Sequence, residues 1–121
     1  MELGLRSTLS PRRATGYEIN FRAAKIPNAY SEIVRWNGPL GSFTYSQQRQ
    51  GLRYGVGNGG VVEATVVGNV ITTYLNGVQI LQVTDNTFPS GSPGMGFYIE
   101  GIPGAGVDTD YGFTSFKAIS D

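Results

Sequence analysis

Apolar and polar positions alternate with a period of two along most of the chain, and Gly, Asn and Pro break the alternation about every ten residues. Residues 3–9 read Leu-Gly-Leu-Arg-Ser-Thr-Leu and stop at Ser10-Pro11. Residues 16–22 give the cleanest strand, with Tyr17, Ile19 and Phe21 on one face and Glu18, Asn20 and Arg22 on the other. Residues 30–36 form a third strand, closed by Asn37-Gly38-Pro39, and shorter candidates follow at 42–47 and 52–56. Residues 61–67 and 70–76 flank Gly68-Asn69 as a hairpin, and Asn76-Gly77 turns the chain again into residues 78–84. After a loop at 85–93, strands are expected at 94–100 and 111–119, with a Gly/Pro loop at 101–108 between them. Apolar residues nowhere recur at i, i+3, i+4 and i+7 behind a cap. The pattern predicts an all-β fold, an antiparallel β-sandwich or barrel of about nine or ten short strands. In its core, Val62, Ala64 and Val66 should pair with Ile71, Thr73 and Leu75, and Phe97, Ile99, Phe113 and Phe116 should fill the space between sheets.

Composition narrows the chemistry more than the fold. The 121 residues make one small domain, with 18 Gly and only 15% charged residues. There is no His, which removes a Ser-His-Asp or Cys-His relay and a His general base. There is no Cys, which removes disulfides, thiolate zinc sites, iron–sulfur clusters and a thiol nucleophile. Net charge is zero, but residues 1–60 hold seven Arg and one Lys against three Glu, while residues 61–121 hold one Lys against two Glu and four Asp. A fold that joins the halves cancels this, so a surface dipole is expected rather than a nucleic-acid footprint. No apolar run approaches the ~18 residues of a membrane span. The first residues show alternation in place of a basic and then apolar leader, so no signal peptide is read there.

The run Gly68-Asn69-Val70-Ile71-Thr72-Thr73-Tyr74-Leu75-Asn76-Gly77-Val78 resembles a hairpin of the concanavalin A-like jelly-roll domains, the laminin-G-like and 3-keto-disaccharide hydrolase (glucanase-like) families among them. Thr84-Asp85 followed by Ser90-Gly91-Ser92-Pro93-Gly94-Met95-Gly96-Phe97 is similar to their return into the next strand. Tyr111-Gly112-Phe113-Thr114-Ser115-Phe116 sits where they close with F-D-D-F, and residues 16–22 resemble their G-Y-E-V strand. The resemblance implies a jelly roll, sugar ligands on a concave sheet face, and a secreted or cell-surface location. Such domains usually carry further N-terminal strands, so the chain is expected to be the C-terminal two-thirds of a longer domain. Strands at 61–67 and 70–76, without Lys gatekeepers, would then leave edges open to a homo-oligomer.

Four constellations could carry chemistry. Gly55-Val56-Gly57-Asn58-Gly59-Gly60 matches G-x-G-x-x-G, but the residues after it read as a strand, not the helix whose amides would hold pyrophosphate, so a turn is expected. Glycoside hydrolysis needs two acids about 5–10 Å apart. The E-x-D-x-x-E strand of glucanases of this fold is absent, which leaves Glu18, Glu32 and Glu100 as isolated acids. Asp108-Thr109-Asp110 offers two carboxylates on one side of an extended segment, a possible Ca²⁺ cage, although Thr114-Ser115 replaces the paired Asp of the resembling domains. The richest set is Arg6, Glu18, Asn20, Arg22, Arg35 and Trp36, with Tyr45 and Tyr54 close in sequence. Sugars stack CH faces on aromatic rings and fork hydroxyls onto charged or amide groups. The blander account puts Trp36 in the core and the charges in cross-strand pairs. Three functions fit: a non-catalytic lectin-like module, a hydrolase domain acting on keto-sugars or glucans, and a structural or adhesion module assembling through strand edges.

Overall fold

The computed structural model describes residues 1–99 and 106–120, and of Asp108 only the backbone. It is all-β, built from two antiparallel sheets. Strands β1 (Glu2–Ser10), β2 (Arg13–Phe21), β3 (Tyr30–Pro39), β4 (Phe43–Gln50) and β8 (Ser92–Gly96) form one sheet in the order β4-β3-β2-β1-β8. Strands β5 (Val62–Val67), β6 (Val70–Leu75) and β7 (Val78–Thr84) form the other in chain order. The three-stranded sheet is a meander set by its turns. Gly68 opens the first with φ 60, and Asn76 and Gly77 supply φ 51 and 79 to the second, the paired positive values of a type I′ turn. Two-residue turns set the register, so Val62, Ala64 and Val66 lie opposite Leu75, Thr73 and Ile71, as the alternation requires.

The sheets pack face to face as a sandwich. Tyr17, Ile19, Phe21 and Ile33 of the larger sheet meet Ile71, Leu75 and Leu81 of the smaller, and Val56 joins them from a loop. The alternation in β2 is realised as read: its apolar row is buried, and the polar row faces away from the core.

Three expectations at the element level are corrected. Residues 52–56 make no strand. Leu52–Tyr54 is a 3-10 turn, held by the Ser31 hydroxyl donating to the Tyr54 carbonyl at 2.7 Å, and Gly55 passes so close to Ala24 that a Cβ would lie 2.0 Å from its carbonyl oxygen. The chain then turns at residues 58–59 and enters the strand β5, so a strand and not a helix follows the Gly-rich run, as read from the sequence. Residues 111–119 join neither sheet. The core therefore takes its aromatics from β2, while Phe97 stacks on Phe113 at 4.5 Å outside the central cluster and Phe116 is exposed. The expected strand 94–100 begins earlier and ends at Gly96, and Glu100 lies outside the described residues.

β1 carries a bulge that decides where its arginine goes. Arg6 adopts φ 50, and both ladders of β1 shift register across it. Gly16 and Gly91 flank the bulge so closely that a Cβ on either would lie within 2.8 Å of Arg6 or Ser7 backbone.

Candidate functional site

The face of the larger sheet that points away from the core carries the polar row of β2 and its lateral neighbours. Strand pairing lays Glu2, Asn20, Glu32 and Gln48 side by side across β1, β2, β3 and β4. The next rows bring Glu18 beside Val34 and Tyr45, then Gly16 beside Trp36 and Phe43. Glu18, Asn20, Trp36 and Tyr45, all singled out from the sequence, therefore share one face. Glu2, Phe43 and Gln48 belong there too and were missed. Their signal is the period-2 pattern of β1 and β4, which becomes legible once the pairing partner of each strand is known.

The polar groups of this face are pre-set by one another. The Trp36 Nε1–H donates to Glu18 Oε2 at 2.9 Å, which orients the indole against its strand neighbours. Glu32 is almost fully buried and accepts from Asn20 Nδ2 at 3.2 Å and from Gln48 Nε2 at 2.6 Å. Asn20 Oδ1 is buried and has no hydrogen-bond partner among the described residues. Burial pushes the Glu2 carboxyl up from its ordinary value, nearby Glu18 adds to the rise, and the chain's amino group partly offsets both.

Beside these groups runs an aromatic strip. Trp36 and Phe43 lie 5.3 Å apart between ring centroids, and Phe43 and Tyr45 lie 5.4 Å apart edge to face. Phe43 and Tyr45 are 42% and 56% exposed, which is costly for large rings with no partner to cover them. The account that put Trp36 in the core is thus replaced: its strand parity is that of Glu32 and Val34, away from Ile33.

The remaining candidates sit elsewhere. Arg35 follows Ile33 in the core-facing row, opposite Tyr17, and its Nη1 pairs with Asp85 Oδ2 at 2.9 Å. Consecutive residues of a strand face opposite ways, so Arg35 and Trp36 cannot share a face. Arg6, turned by the bulge, donates from Nη1 to the Phe88 carbonyl at 2.9 Å. Tyr17 Oη donates to Asp85 Oδ1 at 2.8 Å and accepts from the Phe88 N–H, so these side chains fasten the loop after β7 to the larger sheet. Asp85 is partly desolvated, which raises its pKa, but hydrogen bonds from Thr87, Tyr17 and Arg35 outweigh that and hold it down at about 2.

Tyr54 lies in the 3-10 turn near the start of β3, at the opposite end from Trp36, with Arg53 over its ring at 5.2 Å. Arg22 continues β2 past Phe21, where its carbonyl accepts from the Val56 N–H. Asp110 is spent within its own 3-10 turn, Asp108–Asp110, accepting from the Val107 N–H at 2.8 Å, and the Asp108 side chain lies outside the described residues. Among the described residues no group of three Asp, Glu, His or Cys side chains is arranged to hold a metal. Comparison of the chain with protein-family models, curated proteins and solved structures gives no match.

Proposed function

We propose that the outer face of the five-stranded sheet is a carbohydrate-binding surface, and that the chain is a non-catalytic, lectin-like module of a secreted or cell-surface protein. The observation that carries this reading is the aromatic strip of half-buried Trp36 and exposed Phe43 and Tyr45, lying beside Glu18 and Asn20. Pyranose rings need both elements at that spacing: a flat apolar platform for their CH faces and fixed acceptors for their hydroxyls. Acceptors already held by protein donors cost little further ordering when a ligand docks. The resemblance of residues 68–78 to concanavalin A-like hairpins points the same way.

Glycan-array screening followed by titration calorimetry tests the reading. Tyr45→Ala should weaken binding about threefold to tenfold, the worth of one ring contact, with the far-UV spectrum unchanged because the side chain is exposed. Trp36→Ala should weaken it at least as much. An array without a hit, or binding untouched by both substitutions, would remove this face as the site.

A second reading rests on Glu2 and Glu18, carboxylates on neighbouring strands, where burial and the nearby Glu18 charge make Glu2 hold its proton more tightly than an ordinary glutamate. Such a pair could serve glycoside hydrolysis as acid and base. Reducing-sugar release from β-glucans or keto-sugars that is lost in Glu2→Gln would favour this hydrolase, whereas binding without turnover favours the module.

A further inference from the structure

The smaller sheet is two strands narrower than the larger. β5 stands opposite β1, and β7 opposite β3 and β4, so β8, on the far side of β1, projects beyond β5. The overhang is apolar. Met95 lies in the core-facing row with Ile19 and Leu3, yet it is 48% exposed. The free edge of β5 borders this notch. The Asn76 N–H donates to the Val61 carbonyl and the Val61 N–H donates to Asn76 Oδ1, so both Val61 groups turn toward β6 and, by antiparallel alternation, the N–H and C=O groups of Val62, Ala64 and Val66 point out of the sheet.

The other edges are guarded. The Gln82 N–H of β7 is capped by Gln47 Oε1 from β4, β4 carries Arg49 among polar residues, and β8 contains Pro93. β5 has neither Lys nor Pro, and Glu63 is its one charge.

We propose that this notch accepts an added strand, and that its occupant is residues 111–119 of a second copy of this chain, exchanged reciprocally to close a two-fold dimer. The segment has strand-forming composition in Tyr111, Phe113, Thr114, Phe116 and Ile119, but within one chain it joins neither sheet. Phe116 and Ile119 are left 44% and 76% exposed. Laid along β5 with Thr114, Phe116 and Ala118 turned inward, it places Phe116 over the Met95 overhang. Its outward residues are then Ser115, Lys117 and Ile119, which in an antiparallel ladder run beside Thr65, Glu63 and Val61. Lys117 lies on the same face as Glu63, the charge that a like-charged strand would clash with. This proposal is independent of any sugar ligand.

Sedimentation velocity on the full chain at tens of micromolar is the test. The wild type should sediment as a dimer, and Ala64→Pro and Phe116→Asp as monomers with native far-UV spectra. Ala64→Pro removes a donor that points away from β6, and Phe116 is exposed in the single chain, so both variants retain their own sheets. Because the chain has no Cys, the pair Thr65→Cys with Ser115→Cys provides a second measurement. Mixed isotope-labelled and unlabelled copies should yield disulfide-linked heterodimers by mass. A monomeric wild type overturns the proposal. A dimer that survives Phe116→Asp, or a disulfide that forms only within one chain, overturns the occupant.

Discussion

Asp85 gathers three donors onto one carboxylate: the Tyr17 hydroxyl, the Arg35 guanidinium and the Thr87 N–H. Its native pKa of about 2 lies below the ordinary 3.8, so the folded state favours the ionised form. The stabilisation is complete above pH 4 and drains away as pH falls toward 2. Allowing for screening at the partly exposed Arg35, it is worth about 1–2 kcal/mol. Urea midpoints measured from pH 5 down to 2 should fall steeply in the wild type, and much less in Asp85→Asn, which should already be weakened at pH 5. Glu2 runs the other way. Its raised pKa means the fold favours the protonated carboxyl, a preference satisfied below the ordinary 4.5 and opposed once the group ionises. Glu2→Gln should therefore raise the melting temperature at pH 7 and change it little at pH 3; equal effects at both would contradict the assignment. Neither role was legible from residue type. Asp85 reads as a turn residue and Glu2 as a terminal one until β2 and β3 are laid beside them.

Turns and bulges translate the local sequence into register. Gly77 sits at φ 79 with open space around it, so Gly77→Ala should cost only the left-handed penalty of about 1–2 kcal/mol. Gly16 combines φ 125 with backbone where a Cβ would go. Gly16→Ala should cost more, roughly 2–4 kcal/mol, because the β1 bulge must move as well. Thermal melts of the two variants rank them directly, and a smaller loss at Gly16 would refute the packing argument. The hairpins were readable because two-residue Gly-Asn and Asn-Gly turns leave one register compatible with a buried apolar face. The bulge was not. Nothing in Leu5-Arg6-Ser7 announces it, and it sends Arg6 away from the face on which alternation would place it. Arg35 was misgrouped for a simpler reason: nearness in sequence to Trp36 is opposition across a strand.

The molecule stands or falls as one core. Ile19 and Ile33 from one sheet and Ile71 and Leu81 from the other share a single buried cluster, so neither sheet keeps an apolar interior alone. Ile71→Ala should lose about 3 kcal/mol by transfer and cavity terms. The fluorescence transition of Trp36, on the far face of the larger sheet, should still coincide with the far-UV transition. Separate transitions would mean the sheets fold independently. The charge dipole between halves is bridged here by Arg35 and Asp85, which tie the basic first half to the acidic second.

Class, the strands through residue 84 other than the one expected at 52–56, hairpin register and the buried row of β2 all follow from the sequence, because period and turn chemistry act over a few neighbouring residues and need no partner. Half of the candidate site was legible by the same token: Glu18 and Asn20 alternate with the core row of their own strand. What only the tertiary structure decided is which strands lie side by side. That pairing puts Glu2 beside Asn20, Glu32 beside Gln48 and Trp36 beside Phe43, and takes Arg6 and Arg35 to Phe88 and Asp85. It also leaves residues 111–119, strand-like in composition, without a ladder in the single chain. The physical reason is that a strand is completed by hydrogen bonds to another segment, so its neighbours, and hence the face it helps to build, are properties of the sheet.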